Sequence, residues 1–139
     1  MPFISWSDKF SIGVKQIDDQ HRKLFELVNN VYEHAHSDSA KDLINSSLNE
    51  LIDYTDYHFK EEEAFMVSNE YIRYEQHKMA HDNLRLQVVD FKSAISQGKG
   101  DTKAFLKFLF DWLTKHIMDQ DKKIGKYMEQ RTLKPINDK

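Results

Sequence analysis

The chain has 139 residues, a formal net charge of −3 and no cysteine. That length suits one domain with a sizeable core. The weak charge gives no footing for nucleic acid, and the lack of cysteine excludes disulfides, thiolate ligands and iron–sulfur clusters. The start, MPFISWSDKFSIGV, has no basic segment followed by a long apolar run, so no signal peptide is predicted. No apolar stretch approaches membrane-spanning length, and a cytoplasmic protein is expected.

Four glycines and two prolines are too few for the frequent turns of a β-rich fold, so long helices are predicted. Residues 1–16 lack periodicity and form an N-terminal arm carrying Phe3, Trp6 and Phe10 over the core. A first helix is predicted to begin near Asp18, because Asp18 and Asp19 suit a helix N-terminus. Its apolar stripe runs Ile17, His21, Leu24, Val28, Val31, Ala35. HSDSAKD then breaks the pattern, with Ser39 and Asp42 resembling a capping pair.

The second stripe is Ile44, Leu48, Leu51, Thr55, His58, Glu62, Phe65, ended by MVSNE. The third is Tyr74, His77, His81, Leu84, Val88, Phe91, Ile95, ended by SQGKGD. The fourth is Phe105, Leu109, Trp112, His116, continued by Ile117, Ile124 and Met128; the tail, 132–139, is expected to fray. Four long helices joined by short turns predict an all-α fold: one domain over residues 1–139, an antiparallel up-down four-helix bundle with an N-terminal arm.

Polar residues intrude on these apolar stripes: His21, His58, Glu62, His77, His81 and His116. Any one histidine alone is best explained as a hydrogen-bonded core residue. EQHKMAH, with His77 and His81 four apart, is a weak signal by itself, and Lys78 stands where a zinc protease needs glutamate. The joint pattern is stronger. In an antiparallel hairpin two residues share a height when their midpoint falls at the turn. The midpoint of His21 and His58 falls inside HSDSAKD, that of His58 and His77 inside MVSNE, and that of His81 and His116 inside SQGKGD. All five histidines therefore converge on one layer with Glu62, where a buried carboxylate needs a partner or a metal. HIMDQDKK adds Asp119 or Asp121. Asp119 has the better α-helical spacing from His116. Asp121 has the better level against His77 but needs a stretched side chain or a π-type bulge. Spacing leaves both open.

The set formed by His21, HFKEE (His58, Glu62), HKMAH (His77, His81) and HIMDQD (His116, Asp121) resembles the hemerythrin family, and most of all its single-domain bacterial members. The likeness extends through IDDQHRKLFELVN and FLFDWLTKHIM. It implies Asp121 rather than Asp119, and a non-haem di-iron centre that binds O2 reversibly. Oxygen storage, delivery or buffering is the expected role, by a protein that is not an enzyme. An oxygen or redox sensor acting through a separate partner, or a di-iron oxidase or peroxide-handling enzyme, is the alternative. It further implies that His77, His81 and His116 hold one iron, that His21 and His58 hold the other, and that Glu62, Asp121 and an oxo or hydroxo group bridge them. With both irons six-coordinate, one position stays open on the two-histidine iron for O2 or, in the oxidised form, a small anion such as azide. A monomer is favoured. The family commonly has a Gly-Tyr-Pro-like turn before the third helix, where this chain has NEYIRY.

Phe25, Phe59, Trp112, Leu113 and Ile117 are candidates for an apolar lining that excludes water, with Trp112 and Leu113 expected beside the two-histidine iron. His34 and His36 are expected at the surface. The acidic run KEEE is expected to be a solvated face apart from Glu62.

Overall fold

The computed structural model describes residues 3–37 and 41–133. Helix α1 spans Lys15–Ala35, α2 spans Lys41–Ser68 and α3 spans Tyr74–Ser96. The last rod starts as α4, Thr102–His116, passes through a π turn at Ile117–Asp121 and ends as α5, Lys122–Leu133. Among the described residues no strand occurs, and the rods form an antiparallel up-down four-helix bundle. The stripes supply the core: Leu24, Val31, Leu51, Leu84, Phe105 and Ile117 are fully buried.

Helix boundaries follow local chemistry. SQGKGD ends α3 as expected, with Gly98 at φ 74° and Asp101 capping α4 by accepting from the Lys103 amide at 3.0 Å. The break placed at MVSNE begins only at Asn69, because α2 continues to Ser68. The turn in NEYIRY is made without glycine. Glu70 takes φ 53°, and α5 holds the exposed carbonyls: Tyr127 donates to Glu70 O at 2.9 Å, and Arg131 donates to Asn69 O. Of the expected Ser39–Asp42 capping pair, Ser39 lies outside the described residues, as do residues 134–139 of the tail; Thr132 and Leu133 still belong to α5.

Helix α1 begins at Lys15, three residues before the expected start at Asp18. The Asp18 carboxylate does not cap its own helix. It accepts from Ser11 Oγ at 2.6 Å and from the Ile12 amide at 2.8 Å, folding the arm back on α1. Asn29 clips the arm further along: its side chain accepts from the Ile4 amide at 2.8 Å and donates to the Ile4 carbonyl at 2.7 Å. Between these clips Trp6 and Phe10 pack against Phe25, with ring centroids 5.4 and 5.0 Å away. The arm thus covers the core as predicted.

Gly125 fixes where the arm crosses α5. A Cβ there would lie 1.8 Å from the Ile12 carbonyl oxygen, so only glycine admits the backbone at this height. In an exposed helix Gly→Ala stabilises by about 1 kcal/mol. Gly125→Ala is expected to do the opposite, lowering the thermal midpoint by displacing the arm. In a truncated chain lacking residues 1–13 the same substitution should become neutral or stabilising. Thermal melts of the four combinations check this, and a stabilising Gly125→Ala in the full chain would rule out the arm contact.

Candidate metal centre

Seven buried polar side chains meet in one layer of the bundle: His21 from α1, His58 and Glu62 from α2, His77 and His81 from α3, His116 from α4 and Asp121 at the end of the π turn. Each residue singled out from the sequence is in this cluster, while Asp119 is exposed. The π turn is the reason. At 100° per residue Asp121 would project about 140° from His116; the wider i→i+5 turn brings both to one face, with His116 Nε2 3.2 Å from Asp121 Oδ1.

The two carboxylates divide the histidines between their oxygens. Glu62 Oε1 lies 2.8 Å from His77 Nε2 and 3.2 Å from His81 Nε2. Its other oxygen, Oε2, lies 3.3 Å from His58 Nε2 and 3.7 Å from His21 Nε2. Asp121 repeats the pattern, with Oδ1 3.0 Å from His77 Nε2 and Oδ2 3.0 Å from His21 Nε2. Two overlapping groups result, each with its donor atoms within 4.8 Å of one another: Glu62, His77, His81, His116 and Asp121, and His21, His58, Glu62 and Asp121.

This donor set fits metal cations better than it fits itself. His21 Nε2, Glu62 Oε2 and both Asp121 oxygens are buried and have no well-aligned hydrogen bond. His116 Nε2 lies 3.0 Å from His77 Nε2 and 3.1 Å from His81 Nε2, so three ring nitrogens crowd where protons cannot serve them all. Unsatisfied buried donors and acceptors facing one point are unfavourable unless something charged occupies it.

Residues behind the layer orient the rings. His58 Nδ1 donates to Gln20 Oε1 at 2.7 Å, which turns its Nε2 lone pair inward. His81 Nδ1 donates to Glu63 Oε2 at 2.8 Å, and Arg85 donates to the same oxygen at 2.9 Å. Glu63 is therefore buried and engaged, contrary to the expectation that KEEE beyond Glu62 is solvated. Neither Gln20, Glu63 nor Arg85 lies on the stripes; the one signal in the sequence is that Gln20 adjoins His21, Glu63 adjoins Glu62 and Arg85 follows His81 by four residues.

The aromatic residues sit on one side. Phe59 stacks flat on His81, centroids 3.8 Å apart and planes at 4°, and Trp112 stacks on His116 at 4.4 Å and 14°. Both therefore line the three-histidine side, which corrects the expectation that Trp112 stands beside His21 and His58. Phe25, Leu113 and Ile117 are buried in the core. His36 is exposed, with its ring on Tyr32, while His34 is half-buried.

Electrostatics follow burial and pairing. Burial opposes charge on His21 and His77, but the close Asp121 and Glu62 carboxylates outweigh it and raise each to about 9. His58 is lowered, chiefly by burial. Burial pushes Glu62 and Asp121 upward, yet the surrounding histidines hold both well below the usual carboxylate range. Without metal, protonated imidazoles stand in for cations.

A family model described as the hemerythrin HHE cation binding domain matches residues 12–128. Bacteriohemerythrin of Clostridium acetobutylicum is 33% identical over 122 residues, covering 84% of this chain and 95% of that protein. A hemerythrin chain of Sipunculus nudus is 34% identical over 120 residues, covering 86% of this chain and 88% of that one. A crystal structure of wild-type hemerythrin superposes with a TM-score of 0.84 at 32% identity, covering 89% of this chain and 96% of that one. With a likeness that runs through all four rods and every residue of the polar layer lying inside the matched span, the chain belongs to the hemerythrin family.

Proposed function

We propose that the chain is a single hemerythrin-like domain that binds O2 reversibly at a non-haem di-iron centre, for storage, delivery or buffering of oxygen, and is not an enzyme. His77, His81 and His116 would hold one iron and His21 and His58 the other, with Glu62 and Asp121 offering an oxygen to each. The observation that carries this reading is the division of each carboxylate, one oxygen toward the three-histidine group and one toward the pair. Imidazole and carboxylate without sulfur suit iron. When bound, the iron pair supplies the electrons for O2 binding.

The chain's own residues position the metals and exclude water. The two-histidine position has fewer protein donors, so it is the one that accepts O2 or, when oxidised, azide. Phe25, Leu113 and Ile117 supply buried apolar surroundings. Among the described residues no helix is long and apolar enough to cross a membrane; a cytoplasmic monomer belongs to the same proposal.

Elemental analysis of protein expressed with ample iron should give two irons per chain, one for each donor group. One tight zinc with no iron would overturn the reading. Iron-loaded protein should melt above chelated protein, because metal binding is coupled to folding, and His77→Ala should abolish that difference.

Proton linkage supplies a second test. His21 and His77 have folded-state values raised to about 9, so the stability they contribute to the metal-free fold is present below about pH 6.5 and lost as pH rises through 9. Metal must displace these protons, so its apparent affinity rises over the same interval. Melts of chelated protein across this range, and an indicator dye during metal addition near neutral pH, measure both. A pH-independent metal-free midpoint with no proton release would contradict the linkage.

Leu113→Ala should enlarge the apolar lining, admit water and hasten autoxidation while leaving the iron count unchanged. Stopped-flow mixing of the reduced protein with O2 should show one O2 per iron pair, and the later decay gives the autoxidation rate. Unchanged decay removes Leu113 from the lining; rapid turnover of a co-substrate argues for an enzyme.

A further inference from the structure

The two halves of the polar layer have unlike supports. Behind His58 stands a neutral amide, Gln20 Oε1, at 2.7 Å. Behind His81 stands a carboxylate, Glu63 Oε2, at 2.8 Å. The Nδ1 atoms of His21 and His77 are buried without a partner. A charged acceptor draws the imidazole proton more strongly than an amide does and makes the opposite ring nitrogen a stronger donor.

Arg85 opposes this on the same atom. Its Nη1 donates to Glu63 Oε2 at 2.9 Å, and its Nη2 lies 3.4 Å from Oε1. The guanidinium is anchored by Asp56 at 3.0 Å and Asp82 at 2.8 Å, and it lies 5.3 Å from the centroid of Phe59, the ring stacked on His81. Three carboxylates thus hold one cation where it drains charge from the oxygen that His81 uses.

We infer that Glu63 and Arg85 are an opposed pair of positioning residues: Glu63 strengthens His81 as a donor, Arg85 moderates it, and together they make the two metal positions electronically unequal. The inference rests on the di-iron reading above. More donation at the three-histidine position favours its oxidised state. Removing the Glu63 charge therefore makes the centre harder to oxidise, and removing the Arg85 charge makes it easier.

The test uses the full iron-loaded chain with Glu63→Gln and Arg85→Gln, comparing iron per chain, melting temperature, iron retention against a chelator and midpoint potential by spectroelectrochemistry. Glu63→Gln should raise the potential and weaken iron retention by about 10- to 100-fold. Arg85→Gln should lower the potential. A purely structural role predicts a lower melting temperature in both with potentials shifted in the same direction or not at all, and that result would overturn the inference. Should Glu63→Gln lose iron, Glu63→Asp must restore loading and potential toward the parent values, and should Arg85→Gln lose iron, Arg85→Lys must do so, since each keeps the charge; failure of the matching rescue also counts against the inference. If the parent chain itself takes up no iron, the di-iron reading fails instead, and the two failures are distinguished by the parent's iron count.

Discussion

Two carboxylates buried in the middle of a helix bundle are the constraint on which the rest depends. Glu62 and Asp121 are essentially inaccessible to water, and the groups closest to their oxygens are imidazoles. An ionised group so placed is strongly unfavourable unless countercharge is supplied in contact with it. Protonated His21 and His77 supply part of it, and a metal pair supplies it better. The bundle around this layer has to be well packed and capped, because the layer itself weakens the metal-free core. The arm serves that end: Phe10 and Ile12 add buried apolar surface, and Asp18 and Asn29 hold them there.

The layer was legible in the sequence because a bundle is a simple geometric object. Helical period placed His21, His58, His77, His81 and His116 on inward faces, and turn positions placed them at one height. Neither step needs atomic detail, only the 1.5 Å rise and the breakers HSDSAKD, MVSNE and SQGKGD. The choice between Asp119 and Asp121 did need it. Regular α-geometry favoured the residue that is exposed, and the local π turn reverses the outcome. No periodicity rule contains that turn, so a resemblance to relatives was needed where spacing ran out.

What the sequence hid lies one layer out. Glu63 sits 100° around α2 from Glu62, off the apolar stripe and within an acidic run that ordinarily faces water. Its partners are 18 and 22 residues away, on α3. Such contacts depend on how two rods are rotated against each other, which hydrophobic pattern fixes only to within a face. The same holds for Gly125: its requirement comes from the arm's backbone crossing α5, a contact made by residues more than a hundred positions apart. Aromatic placement is a different case, because the deciding contact is local. Trp112 is one turn before His116, so its stacking on that ring follows from i, i+4 geometry, and sequence proximity to His116 already argued for the three-histidine side over His21 and His58.

The aromatic and polar supports are therefore asymmetric in the same sense. Flat rings cover His81 and His116, and the carboxylate–guanidinium pair stands behind His81. Across the layer, His21 and His58 meet edge to face at 4.7 Å, with only an amide behind His58. A histidine gripped on its face and at its far nitrogen has one orientation; a histidine held less tightly can follow a change at the metal it faces. Under the proposed function, the face-stacked and carboxylate-backed side keeps its ligands, and the amide-backed side is the one that takes up O2. The fold achieves this with unequal surroundings for chemically similar residues, and both kinds of surrounding come from helices that the apolar stripes had already brought together.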